Sequence, residues 1–132
     1  MPVKTLLSLL ITVPFICGHA LAASVLVKWD PSPTNLQHAD GHRIYYGQTS
    51  RADATHRETP GSGPYDAVID IPGPGVTSYL ISDLPPGLWC FRATAYNQEH
   101  ESPFSDAEPC LTLEEGEVRV LSPSGFSAEP VD

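Results

Sequence analysis

A period of two governs this chain. Between clusters of turn residues, short runs alternate apolar and polar positions, as half-buried strands do. In SVLVKW, Val25, Val27 and Trp29 share one face, while Leu26 and Lys28 take the other. In HRIYYG, His42, Ile44 and Tyr46 lie opposite Arg43 and Tyr45. TSYLISDL places Tyr79 with Ile81. In WCFRATAY, Trp89, Phe91, Ala93 and Ala95 point one way, and Cys90, Arg92, Thr94 and Tyr96 the other. YDAVIDI and PCLTL complete the set. No stretch carries a 3.6-residue apolar period long enough to predict a helix. Many of the 14 prolines and 10 glycines fall between the runs, in DPSPTNLQHADG, TPGSGP, IPGPG and DLPPG, and NQEHESP links the last pair. About six short strands at this spacing predict an all-β antiparallel sandwich.

The first 22 residues read differently. Lys4 precedes an apolar run from Leu6 to Ile16, and Ala20 and Ala22 follow in an A-x-A arrangement. That is the layout of a cleaved signal peptide, with Ala23 as the new N-terminus. The run of about 11 residues is short for a bilayer span, so no membrane insertion is expected after cleavage. A lipid-modified Cys17 would need a small residue before it, and Ile16 fits that badly. The remaining chain divides into one domain over 23–113 and a tail over 114–132. The tail is acidic, then rich in Ser and Pro, and is expected to be mostly mobile.

Export also sets the charge and the cysteine count. Losing Lys4 and no acid moves the formal charge from −9 to −10. So acidic a chain lacks the basic footprint that nucleic acid requires. Cys17 leaves with the leader, and Cys90 and Cys110 remain; two cysteines in an exported domain most economically form one disulfide. A secreted or periplasmic location is expected.

VLVKWDPS, GHRIYYG, TSYLISDLPPG and FRATAYNQEHESPFSD, in that order, resemble a fibronectin type III domain of the kind found singly in exported bacterial proteins. The resemblance covers roughly residues 24–113. It implies an immunoglobulin-like sandwich of two sheets, with Trp29 in the core and His42, Ile44 and Tyr46 facing inward. Leu84 would lead into a corner, followed by an inward row of Trp89, Phe91, Ala93 and Ala95. Three departures stand out. The first strand of the family is short or absent, which leaves one sheet edge thinly covered. Trp89 stands where the family usually has a corner tyrosine; its indole N–H donates but cannot accept, so the corner hydrogen bond must be rebuilt or lost. His42 replaces an inward tyrosine and is expected to be a satisfied core residue.

Three constellations could carry chemistry. A hairpin centred on His100 would place Cys90 opposite Cys110, close enough for a disulfide. Pro109 complicates this pairing: with its nitrogen facing solvent, the cysteines would fall at the wider, hydrogen-bonded site unless a bulge intervenes. A nucleophilic role for either cysteine lacks a local Cys/His signature. His38 and Asp40 in one loop, with Glu99, His100 and Glu101 in another, are secondary metal candidates, although their spacing matches no metal motif. Arg43 and Tyr45 should lie beside Arg92 and Tyr96 on one outward face, a candidate binding surface for protein or glycan. No catalytic motif and no cofactor motif occurs. The expectation is a non-enzymatic binding or adhesion module. The alternatives are a carbohydrate-associated accessory module or a structural subunit that uses the thinly covered edge.

Overall fold

The computed structural model describes residues 21–57, 61–122 and 128–131. The leader expected over 1–22 lies outside them up to residue 20. The chain forms an all-β sandwich. Its strands are β1 (Ala23–Lys28), β2 (Gly41–Gly47), β3 (Ala67–Pro72), β4 (Ser78–Leu84), β5 (Gly87–Tyr96), β6 (Cys110–Leu113) and β7 (Val118–Leu121). One sheet has the order β4-β1-β7 and the other β3-β2-β5-β6. Among the described residues, no helix is long and apolar enough to cross a membrane.

The core lies between the sheets and follows the alternation. Val25, Val27, Trp29, Ile44, Ile81, Leu84, Trp89, Phe91, Ala93 and Ala95 are all buried in one cluster. Tyr46 is half-buried against that cluster and stacks on Phe91. Tyr79 departs from expectation. It sits opposite Val27 but is 40% exposed, because β4 is an edge strand with no neighbour beyond it. Farther along β4 the register shifts: Val25 pairs with Ile81 and Ala23 with Leu84. Asp83 absorbs the extra residue at φ 63°, a bulge conformation that aspartate tolerates better than most residues. The bulge lets Ile81 and Leu84 both face inward despite their odd spacing.

The turn-like stretch after β1 contains a short helix, α1 (Pro33–His38). Ser32 caps it, its hydroxyl accepting from the Asn35 N–H at 3.0 Å, and Pro33 opens the first turn, where its missing N–H costs nothing. Six residues are too few for a helical period to be visible in the sequence.

The segment expected to be a mobile tail contributes a strand. β7 pairs with β1 in parallel, Ser24 beside Val118 and Leu26 beside Val120. It occupies the edge that was expected to be thinly covered. A tight turn over 114–117 delivers it, with Gly116 at φ 69° and the Glu117 N–H donating to the Glu114 carbonyl. Farther on, Ala128 and Val131 are buried in the main core. The Asn35 carboxamide holds this last segment: its nitrogen donates to the Glu129 carbonyl at 3.2 Å, and its oxygen accepts from the Val131 N–H at 2.8 Å. The ordered domain therefore runs past residue 113.

Cys90 and Cys110 are joined by a disulfide and stand directly opposite each other in the β5–β6 ladder, their Cα atoms 4.0 Å apart. The pairing agrees with the symmetric hairpin, but the hairpin is not symmetric. It turns at Asn97–His100, where the Asn97 side chain accepts from the Glu99 and His100 N–H groups. The returning chain then leaves the ladder. Ser105 and Ser102 stand in for a regular strand: each hydroxyl accepts from β5, at Ala93 and Ala95, and each N–H donates back to the same residue. Regular pairing resumes at Pro109, whose carbonyl accepts from the Phe91 N–H at 3.0 Å. Pro109 thus takes the hydrogen-bonding position and forgoes only its own donation. That leaves the cysteines at the narrower, non-hydrogen-bonded site.

Candidate binding face

The outward face of β2 and β5 carries Arg43, Tyr45, Arg92 and Tyr96, and the register brings them together as the alternation requires. Tyr45 pairs with Arg92, and Arg43 with Thr94. The face is not open, however. Tyr45 and Arg92 are buried, because the β2–β3 connection and the return from β5 fold over them. Tyr45, Tyr65 and Phe104 form a second, smaller core, with Ala54 and Val68 packed against it. The Phe104 ring meets both tyrosines edge-on.

Arg92 is the stitch that fastens this cover. Its Nε and Nη2 donate to the Ser105 carbonyl at 2.9 and 2.7 Å. Its Nη1 donates to the carbonyls of Ala54 at 2.6 Å and Arg51 at 3.0 Å. The guanidinium also lies 5.2 Å from the Phe104 ring centre. A buried cation needs its donors filled, and here main-chain carbonyls of two loops fill them. Arg92 is therefore occupied by its own chain.

Two carboxylates complete the cover. Glu101 accepts from the Tyr45 hydroxyl and from Thr94 Oγ1 at 2.7 Å, and it pairs with Arg43 Nη1 and Arg57 Nη2, each at 3.1 Å. Glu108 accepts from the Ser50 and Tyr65 hydroxyls and from the Arg51 N–H at 2.6 Å. Burial first, then the bond to Glu101, holds the Tyr45 phenol well above its ordinary range. Tyr65 is raised likewise, by burial and then by Glu108. Arg43 and Tyr96 are half-buried, the guanidinium 3.9 Å from the ring centre. Burial and Asp70 push the Tyr96 phenol up to about 12.

Sequence reasoning missed the cover because alternation reports which side a residue takes and not what lies on top of it. The available signals were Tyr65 and Phe104, two aromatic residues stranded in turn-like stretches. The length of the β2–β3 connection was another, since long connections seldom lack packing of their own.

The secondary metal candidates do not converge. His38, Asp40 and His100 are exposed, and Glu101 turns back over β2 into the network above. Asp40 and Glu99 share a shallow surface pocket with Asn97 and Gln98, so the two loops do meet at one end. Among the described residues, one trio of metal-ligating types gathers its atoms within 4.8 Å: Cys90, Glu108 and Cys110. The two sulfurs of that trio are already bonded to each other.

Two departures noted in the sequence resolve differently. Trp89 rebuilds the corner bond, its indole N–H donating to the Pro85 carbonyl at 2.8 Å. His42 is buried as expected but is not satisfied: among the described residues neither ring nitrogen has a partner, nor does the Trp29 indole N–H. The two rings are 5.8 Å apart, and burial lowers the His42 pKa.

The open apolar surface is on the other sheet. Leu80, Leu26 and Val120 fall in register across β4, β1 and β7, with Val118 beside Ser24. Leu80, Val118 and Val120 are exposed and Leu26 is partly buried. No protein-family model matches the chain.

Proposed function

We propose that this chain is an exported, non-enzymatic binding module of the fibronectin type III kind, and that its partner is a protein. The kinship is supported by the ordered motifs and by strand neighbours β4-β1 and β3-β2-β5-β6, which are those the resemblance implies. Export is supported by the leader-like first 22 residues and by the disulfide.

One observation carries the choice of partner: the apolar row of Leu80, Leu26 and Val120 on the outward face of the three-stranded sheet. Aligned exposed apolar side chains of this kind suit a protein surface. On the Arg–Tyr face, Tyr45 and Arg92 are instead taken up in anchoring the covering loops. A structural role in an envelope assembly is the second reading, favoured by the outer edge of β7, which no strand among the described residues covers.

The test is cross-linking capture from envelope extract with the chain and its Leu80→Lys/Val120→Lys variant. A partner captured by the first and lost by the second is the expected result. An identical partner set overturns the face. Glycan-array binding that survives the double variant would move the reading to a carbohydrate-associated module.

A further inference from the structure

A sheet edge is a template for another strand unless something blunts it. Three of the four edge strands here are blunted. β3 carries Asp70 and ends at Pro72, β4 carries the bulge at Asp83, and β6 opens beside Pro109 and the disulfide. β7, with the sequence VRVL, has no proline, no bulge and no lysine; its one charge, Arg119, pairs with Glu117 of the same copy.

The direction of its free backbone groups follows from one bond. The Ser24 N–H donates to the Glu117 carbonyl at 2.9 Å. In a parallel ladder with Ser24 beside Val118, this turns the Arg119 backbone groups toward β1 and those of Val118 and Val120 toward the open edge. The same two valines are 68% and 57% exposed.

We propose that β7 pairs with the β7 strand of a second copy, antiparallel about a twofold axis, with Val118 opposite Val118. This rests on the protein-binding reading and names a second copy of the chain as the partner. Charge selects the register. Glu117 of each copy then faces Arg119 of the other, twice over by symmetry. The two side chains already pair within one copy at 3.5 Å, both partly exposed. The neighbouring register, Val118 opposite Val120, would set Arg119 against Arg119, and like charges directly opposed are destabilising. The neighbouring register would pair all the free groups of Val118 and Val120, whereas the proposed one pairs the Val118 groups and sets Val120 opposite Gly116, whose N–H already donates to the Leu21 carbonyl; the two cross-copy ion pairs are what favour it. A four-residue edge is far smaller than a standard interface, and a formal charge of −9 on each full-length copy, or −10 without the leader, opposes approach. The dimer is therefore weak.

Sedimentation velocity of the full chain at physiological ionic strength, from about 10 μM to about 1 mM, tests the pairing. The expected result is a concentration-dependent shift from monomer to dimer. Val118→Pro removes an N–H that points off the sheet, so it should abolish the shift and leave the near-UV circular dichroism unchanged. Val118→Lys should do the same and decides the matter if proline disturbs the strand. Arg119→Glu should weaken association about tenfold, and adding Glu117→Arg should restore it. A chain that stays monomeric throughout, or a dimer that survives both Val118 variants or ignores the charge exchange, overturns the pairing. Monomers that still capture a protein through Leu80 would overturn the pairing and leave the binding reading intact.

Discussion

Asn35, on a six-residue helix near the start of the chain, holds the main chain of Val131 across a separation of 96 residues. The asparagine is fully buried, and its carboxamide also donates to the carbonyl of Glu129. Both ends of one side chain are committed to the C-terminal segment. Asn35→Ala should therefore destabilise the domain by about 1–3 kcal/mol, the cost of leaving buried polar groups unpaired. Chemical denaturation measures it. A cost within error of zero would mean that this segment is not docked in solution.

Arg92 and Arg43 look equivalent in the sequence and should behave very differently. Arg92→Met strips donors from the carbonyls of Ser105, Ala54 and Arg51 and should cost about 2–4 kcal/mol. Arg43→Met removes partly exposed ion pairs and should cost about 1 kcal/mol or less. Equal costs, from thermal or urea melts of the two variants, would contradict the role of Arg92 as the fastening of the loop cover.

Cys90→Ala/Cys110→Ala should lower stability by about 3 kcal/mol, the loop-entropy value for a closure of 20 residues. Reductant should reproduce the loss in the unmodified chain. Adding reductant to the double variant should change nothing further, and a second drop there would point to another thiol.

Buried His42 and the raised tyrosines, Tyr96 among them, make stability depend on pH at both ends. The pKa of His42 is lowered from 6.5 by burial, so below pH 6.5 the unfolded chain takes up the proton first. Stability is fully present above that pH and falls as the pH drops toward the folded-state value. His42→Leu should flatten the acid limb of a stability–pH curve below about pH 6.5. At the other end, Tyr96 is raised from 10.0 to about 12, so its contribution is present below pH 10 and lost as the pH rises through the folded-state value. An unchanged acid limb in His42→Leu would remove His42 from this account.

The inward half of the fold was legible because period-two alternation assigns faces directly. Trp29, Ile44, Phe91 and Ala95 needed nothing more. The Cys90–Cys110 pair was legible too, although the hairpin between them is irregular: serine hydroxyls at 102 and 105 absorb residues that a symmetric count ignores. What stayed hidden depended on contacts between distant segments. Tyr45 and Arg92 alternate like solvated residues, and it is Tyr65, Phe104, Glu101 and the carbonyls of Ser105, Arg51 and Ala54 that make them interior. β7 stayed hidden because four residues among acids, Ser and Pro carry almost no pattern. Its strand character comes from β1, which is remote in sequence.

That remoteness bears on when the molecule can form. β1 is the first strand of the chain, and one of its two neighbours, β7, is the last. The sheet containing β1 is not complete until residues 118–121 have been synthesised. Contacts of such long range are the slow ones to form among strand pairings. Until then β1 has β4 as its strand neighbour, and the N–H and C=O groups it turns toward β7 wait for a segment more than 90 residues away.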